Sequence, residues 1–138
     1  MLQCTTDIRI RFNEVDPLGI VWHGHYIRFF EDGREAFGAM HGLTYMDIYR
    51  QGFVTPVVKI NCDYKKSLEY GDEISIITTF VNSPAAKLCF SYQIMHKSTG
   101  NLIAEGSSVQ VFLDDQKREL QLIAPQFFTE WKEKHGLK

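Results

Sequence analysis

From Tyr26 onward, the residues Tyr26, Phe30, Gly33, Phe37 and Met40 step by four, three, four and three. That spacing puts them on one face of an α-helix of about four turns, with Arg28, Glu31, Asp32, Arg34 and Glu35 largely off the stripe. A single apolar stripe has to be buried against another layer. Gly33 sits in its middle, where glycine costs about 1 kcal/mol relative to alanine, a penalty that close packing on a sheet would offset. The flanking sequence supplies strands for such a sheet. Ile8, Ile10 and Phe12 alternate with Arg9, Arg11 and Asn13, the period of a strand with one buried face. Four longer β-rich runs follow at 55–65, 73–81, 87–96 and 102–113, and 125–134 reads as a short closing helix. Tyr70-Gly71-Asp72, Asn82-Ser83-Pro84 and Ser98-Thr99-Gly100-Asn101 separate the runs with turn chemistry, so the last three strands are expected to form an antiparallel meander. The order predicts one α+β domain over 1–138, a long helix lying across a curved antiparallel sheet.

Composition narrows the functional classes. With 138 residues, 44% of them hydrophobic, the chain can build its own core. Fifteen Lys and Arg against 17 Asp and Glu give a formal charge of −2, without the basic footprint that nucleic-acid binding requires. No apolar run approaches the roughly 18 residues of a membrane span, and the first residues lack the basic and apolar regions of a secretory signal. Cys4, Cys62 and Cys89 are an odd number at no metal-ligand spacing. These features predict a soluble cytoplasmic protein with no nucleic-acid or membrane partner, in which Cys62 and Cys89 are buried hydrophobes rather than nucleophiles.

The densest chemistry lies between the first strand and the helix, in Asn13-Glu14-Val15-Asp16-Pro17-Leu18-Gly19-Ile20-Val21-Trp22-His23-Gly24-His25-Tyr26. Asp16-Pro17 favours a turn, and Gly19 can take a positive φ. The chain then enters a helix whose first N–H groups lack intrahelical acceptors and carry the positive end of the helix dipole. A carboxylate followed by free amide donors supplies an attacking or base group and a site for developing negative charge, which acyl transfer needs. A thiol of pKa ~8.5 leaves with little help, so a thioester suits this set. The plain alternatives are an Asx turn for Asp16 and a solvated helix face for Glu31, Asp32, Arg34 and Glu35. His23 and His25 lack the further residues of a metal site.

Asp16-Pro17-Leu18-Gly19-Ile20-Val21-Trp22-His23, with Tyr26, resembles the signature loop of the 4-hydroxybenzoyl-CoA thioesterase-like hotdog family. Glu31, Asp63-Tyr64 and Gly71-Asp72 extend the resemblance over most of the chain. It implies a hotdog fold and an acyl-CoA thioesterase that releases a carboxylic acid and free coenzyme A, with no cofactor besides the coenzyme A of the substrate. It also implies Asp16 as nucleophile or general base, the His23 main-chain N–H as the donor to the thioester carbonyl, and Glu31 positioning water or the acyl group. Gly19, Trp22, Tyr26 and Tyr64 would border the substrate. Lys59, Lys65 and Lys66 would face the phosphates of coenzyme A, although a solvated strand edge explains them equally well. The resemblance further implies a homodimer or homotetramer with sites between subunits. His25 and Ser67 depart from the pattern, standing where relatives often carry asparagine and proline. Two other readings are a hotdog hydratase or dehydratase using His23 and Glu31, and a non-catalytic acyl-thioester binding module.

Overall fold

The computed structural model describes residues 1–138. In chain order it contains β1 (Gln3–Arg9), α1 (His25–His41), α2 (Tyr45–Arg50), β2 (Phe53–Val54), β3 (Val57–Tyr64), β4 (Glu73–Val81), β5 (Lys87–His96), β6 (Leu102–Val111), β7 (Leu113–Asp114) and α3 (Gln126–Lys134). Five strands form one sheet in the order β1-β4-β5-β6-β3, antiparallel at every pairing. The predicted meander is present as β4-β5-β6. β2 and β7 form a separate two-stranded pair.

Strand alternation explains how the sheet receives the helix. Ile74, Ile76, Thr78 and Phe80 of β4 and Leu88, Phe90, Tyr92 and Ile94 of β5 turn inward, where Tyr26, Phe29, Phe30, Gly33 and Phe37 of α1 are buried. Phe30 stacks on Tyr92 with ring centroids 4.5 Å apart, and Phe37 meets Phe90 edge-on at 5.1 Å. Helix and strand approach closely at Gly33: a β-carbon there would lie against Thr78 Oγ1 and 2.7 Å from Ile76 Cγ2. A hydrogen-bonded string crosses this layer, from Arg34 Nη1 to Tyr92 Oη at 3.1 Å and between Tyr92 Oη and Ser108 Oγ at 2.6 Å. α3 seals one end, with Trp131 edge-on to Phe80 at 5.1 Å and its indole N–H donating to His41 O at 2.8 Å. No helix is long and apolar enough to cross a membrane.

Three expectations are corrected. The first strand stops at Arg9, because its partner β4 begins at Glu73, directly opposite. Ile10 remains buried, but Phe12 enters a 3-10 turn over Phe12–Glu14 and is 75% exposed. Met40 is also exposed, since His41 occupies the inward position of the last helical turn with its ring 4.5 Å from Phe37. The run expected over 102–113 divides, with β6 ending at Val111 and Leu113–Asp114 pairing with β2 instead. α2 was not anticipated. Its signal is a capping box, in which Asp47 N–H donates to Thr44 Oγ1 at 3.0 Å and Thr44 N–H to Asp47 Oδ2 at 2.9 Å.

Candidate active site

The loop between β1 and α1 is held by main-chain hydrogen bonds at both ends. Asp16 N–H donates to Ile20 O and Gly19 N–H to Asp16 O, both at 2.9 Å. Gly19 adopts φ +82°, a conformation open to glycine without strain. Val21 N–H reaches across to Leu68 O at 2.8 Å, and Trp22 N–H returns to Glu14 O at 3.1 Å. Beneath the loop lies Glu14, a carboxylate only 3% exposed, which accepts the Arg11 N–H at 2.6 Å and pairs with the Arg28 guanidinium in the first turn of α1. Burial opposes ionisation of Glu14, but the Arg11 amide and Arg28 outweigh it and hold the carboxyl below its ordinary range. Sequence reasoning missed this pair, since 14 residues separate its members and no local pattern joins them.

Within this frame Asp16 has two different oxygens. Oδ1 accepts the Leu18 N–H at 2.8 Å, closing the Asx turn. Oδ2 makes no hydrogen bond within the chain. Asp16 lines a cavity of about 400 Å³ together with Ile20, His23, Tyr26, Tyr64 and Lys66. The sequence alternatives for Asp16 are therefore compatible: one oxygen builds the turn and the other is available to chemistry.

The start of α1 borders the same cavity. His25 N–H donates to Trp22 O at 3.0 Å and Tyr26 N–H to His23 O at 3.3 Å, while the His23 and Gly24 amides donate to no acceptor within the chain. His23 O also accepts the Tyr64 hydroxyl at 2.8 Å. Tyr64 packs edge-on against Tyr26 at 4.9 Å and against His23 at 6.4 Å. Burial, with lesser contributions from Cys62, raises the Tyr64 hydroxyl above its ordinary range, and burial pushes that of Tyr26 up to about 12. Both remain neutral phenols at ordinary pH.

The other selected residues are distributed more widely. Glu31 lines a second cavity of about 230 Å³ with Arg34, Tyr45, Thr55 and Gln110. It stands six residues beyond the helix start, about 9 Å along the axis, and does not line the Asp16 cavity. Trp22 lies outside the Asp16 cavity, its ring 5.1 Å from His23 and 5.4 Å from His25. Gly19 shapes the loop without lining the cavity, and Lys59 is an exposed β3 residue away from it, whereas Lys65 and Lys66 are in its wall. No three His, Cys, Asp or Glu side chains cluster as metal ligands. Burial raises the thiols of Cys4, Cys62 and Cys89, which disfavours thiolates. A larger hollow of about 630 Å³ on the outer sheet face, bordered by Gln3, Asn61, Gln93 and Glu105, holds none of the selected residues.

Residues 10–131 match the model of the thioesterase-like superfamily. The chain belongs to that superfamily. Among curated relatives of the family, the acyl-CoA thioesterase candidate YneP of Bacillus subtilis (strain 168) is 33% identical over 110 residues, covering 80% of this chain and 79% of that protein. The DHNA-CoA thioesterase of Staphylococcus aureus superimposes with a TM-score of 0.87 at 26% identity, covering 99% of this chain and 90% of the other. The 4-hydroxybenzoyl-CoA thioesterase of Pseudomonas sp. strain CBS-3 matches with a TM-score of 0.81 at 23% identity, over 95% and 99% of the two chains. These likenesses bear out the hotdog α+β fold and the family resemblance carried by the loop.

Proposed function

We propose that the protein hydrolyses acyl-CoA thioesters to a carboxylic acid and free coenzyme A. The carrying observation is that Asp16, whose Oδ2 is unengaged, and His23, whose amide is free, line one cavity. In the reaction, Asp16 Oδ2 either attacks the thioester carbonyl carbon or takes a proton from the attacking water. The His23 N–H stabilises the negative charge that develops on the carbonyl oxygen, and the carbon–sulfur bond then breaks with release of the coenzyme A thiolate. Attack by water leaves the carboxylic acid directly, whereas attack by Asp16 leaves an acyl–aspartyl anhydride that water hydrolyses to the acid and free Asp16. Lys65 and Lys66 in the cavity wall fit the phosphates of coenzyme A. No metal or redox group is required. The names of YneP and of the Staphylococcus aureus enzyme support a CoA thioester as substrate.

The reading includes assembly into a homodimer or homotetramer. β3 has one free edge and exposes Val58 and Tyr64, features that favour pairing with a second copy. In a composite site Glu31 would come from the partner protomer. The hydratase alternative gives Asp16 no role, whereas Asp16 lines the cavity with its Oδ2 unengaged, which favours hydrolysis.

The test is free-thiol release from a panel of aromatic, short-chain and long-chain acyl-CoAs, run beside hydration of crotonyl-CoA. Thiol release from at least one class without hydration is expected. Hydration without thiol release would replace this reading with the hydratase, and ligand binding without either product would replace it with the binding module.

A further inference from the structure

Tyr64 was expected at the substrate, yet its hydroxyl is spent on the protein's own main chain. It donates to His23 O at 2.8 Å across a sequence separation of 41 residues, joining the end of β3 to the start of α1. β3 is itself fixed there, because the Lys65 and Lys66 amides both donate to Ile103 O on β6, at 2.8 and 3.1 Å. The peptide bond is planar and trans, so the direction of the His23 carbonyl dictates the direction of the Gly24 N–H. Holding that plane also restricts rotation about the His23 Cα–C bond, and so the orientation of the His23 N–H relative to it. Neither of these two amides has an acceptor in the chain.

We infer that Tyr64 is a positioning residue, whose hydroxyl locks the His23–Gly24 peptide so that the main-chain donor is aimed before the thioester arrives. This rests on the thioesterase reading above. Preorganised donors are effective because they do not reorient as charge develops. Without the Tyr64 bond, His23 O keeps only the longer bond from Tyr26 N–H at 3.3 Å, and the peptide can rock. The ring contacts to Tyr26 and His23 need no hydroxyl, so Tyr64→Phe removes the lock and preserves the packing.

The experiment compares Tyr64→Phe with the native protein on whichever panel thioester is hydrolysed fastest. We expect kcat to fall on the order of tenfold, the loss of about one hydrogen bond's worth of orientation, with KM little changed. In the Asp16→Asn background, expected to slow turnover enough to hold the same thioester, the infrared carbonyl stretch of the bound substrate should move toward its solution frequency when Tyr64→Phe is added. In ligand-free protein, the His23 carbonyl-carbon and Gly24 amide resonances should shift while those of Asp16 stay in place. An unchanged kcat, a rise in KM alone, or unmoved His23 and Gly24 resonances would overturn the positioning role while leaving hydrolysis intact. A native protein that releases thiol from no thioester would overturn the thioesterase reading, and the role of Tyr64 with it.

Discussion

The Glu14 carboxylate and the Arg28 guanidinium are joined by an ion pair that ties the turn ahead of the Asp16–His23 loop to the first turn of α1. Glu14 is buried while Arg28 keeps 38% of its side-chain surface in solvent. Breaking a fully buried pair typically costs 3–5 kcal/mol, and an exposed one under 1. Glu14→Gln is therefore expected to cost about 2 kcal/mol in urea unfolding at neutral pH.

The same pair sets a pH dependence. The folded-state pKa of Glu14 is held below its ordinary value, so its stabilisation is fully present above the unfolded pKa of about 4.3 and is lost as pH falls through the lower folded value. The stability gap between native protein and Glu14→Gln should be constant from pH 7 to about 5 and close in more acidic solution. A gap that widened on acidification would contradict the assignment.

Gly33→Ala separates helix propensity from packing. Alanine gains about 1 kcal/mol in an open helix, but at Gly33 its methyl meets Thr78 and Ile76, and overpacking of this kind costs about 1–3 kcal/mol. A net loss near 1 kcal/mol, or a fall of about 4 °C in Tm, is expected by calorimetry.

Lys65 and Lys66 line the Asp16 cavity and Lys59 does not. The double substitution Lys65→Ala/Lys66→Ala is expected to raise KM for an acyl-CoA about tenfold at low ionic strength, with the effect shrinking as salt screens it. KM for the matching acyl-pantetheine, which lacks the nucleotide phosphates, should stay unchanged. Lys59→Ala should leave KM for both substrates near the native value.

What the sequence reveals here depends on how local the cause is. β4 and β5 are legible to the residue because inward and outward positions alternate between strong turns. Phe12 carries the right period but lies beyond the last β1–β4 pair, and only the β4 register shows where the sheet ends, while Met40 loses the inward position to His41. α2 is too short for periodicity, although Thr44 and Asp47 announce its start. In the loop, Asp16 and His23 could be chosen from residue chemistry and family resemblance. The Glu14–Arg28 pair and the Tyr64–His23 bond could not, since each joins distant segments that meet only after α1 has docked on the sheet. Glu31 illustrates the converse: a residue attractive in the linear pattern faces a different cavity of the protomer.

The central claim is that the free oxygen of Asp16 performs the chemistry, and Asp16→Asn tests it most directly. Asparagine keeps an Oδ1 to accept the Leu18 N–H, so the Asx turn and the fold should persist while the charged oxygen is lost. Thiol release from the best acyl-CoA should fall at least about 10²-fold, the scale on which single groups of acyl-transfer sites act, with Tm and substrate binding retained. A variant that folds normally and still hydrolyses the thioester at the native rate would contradict the account.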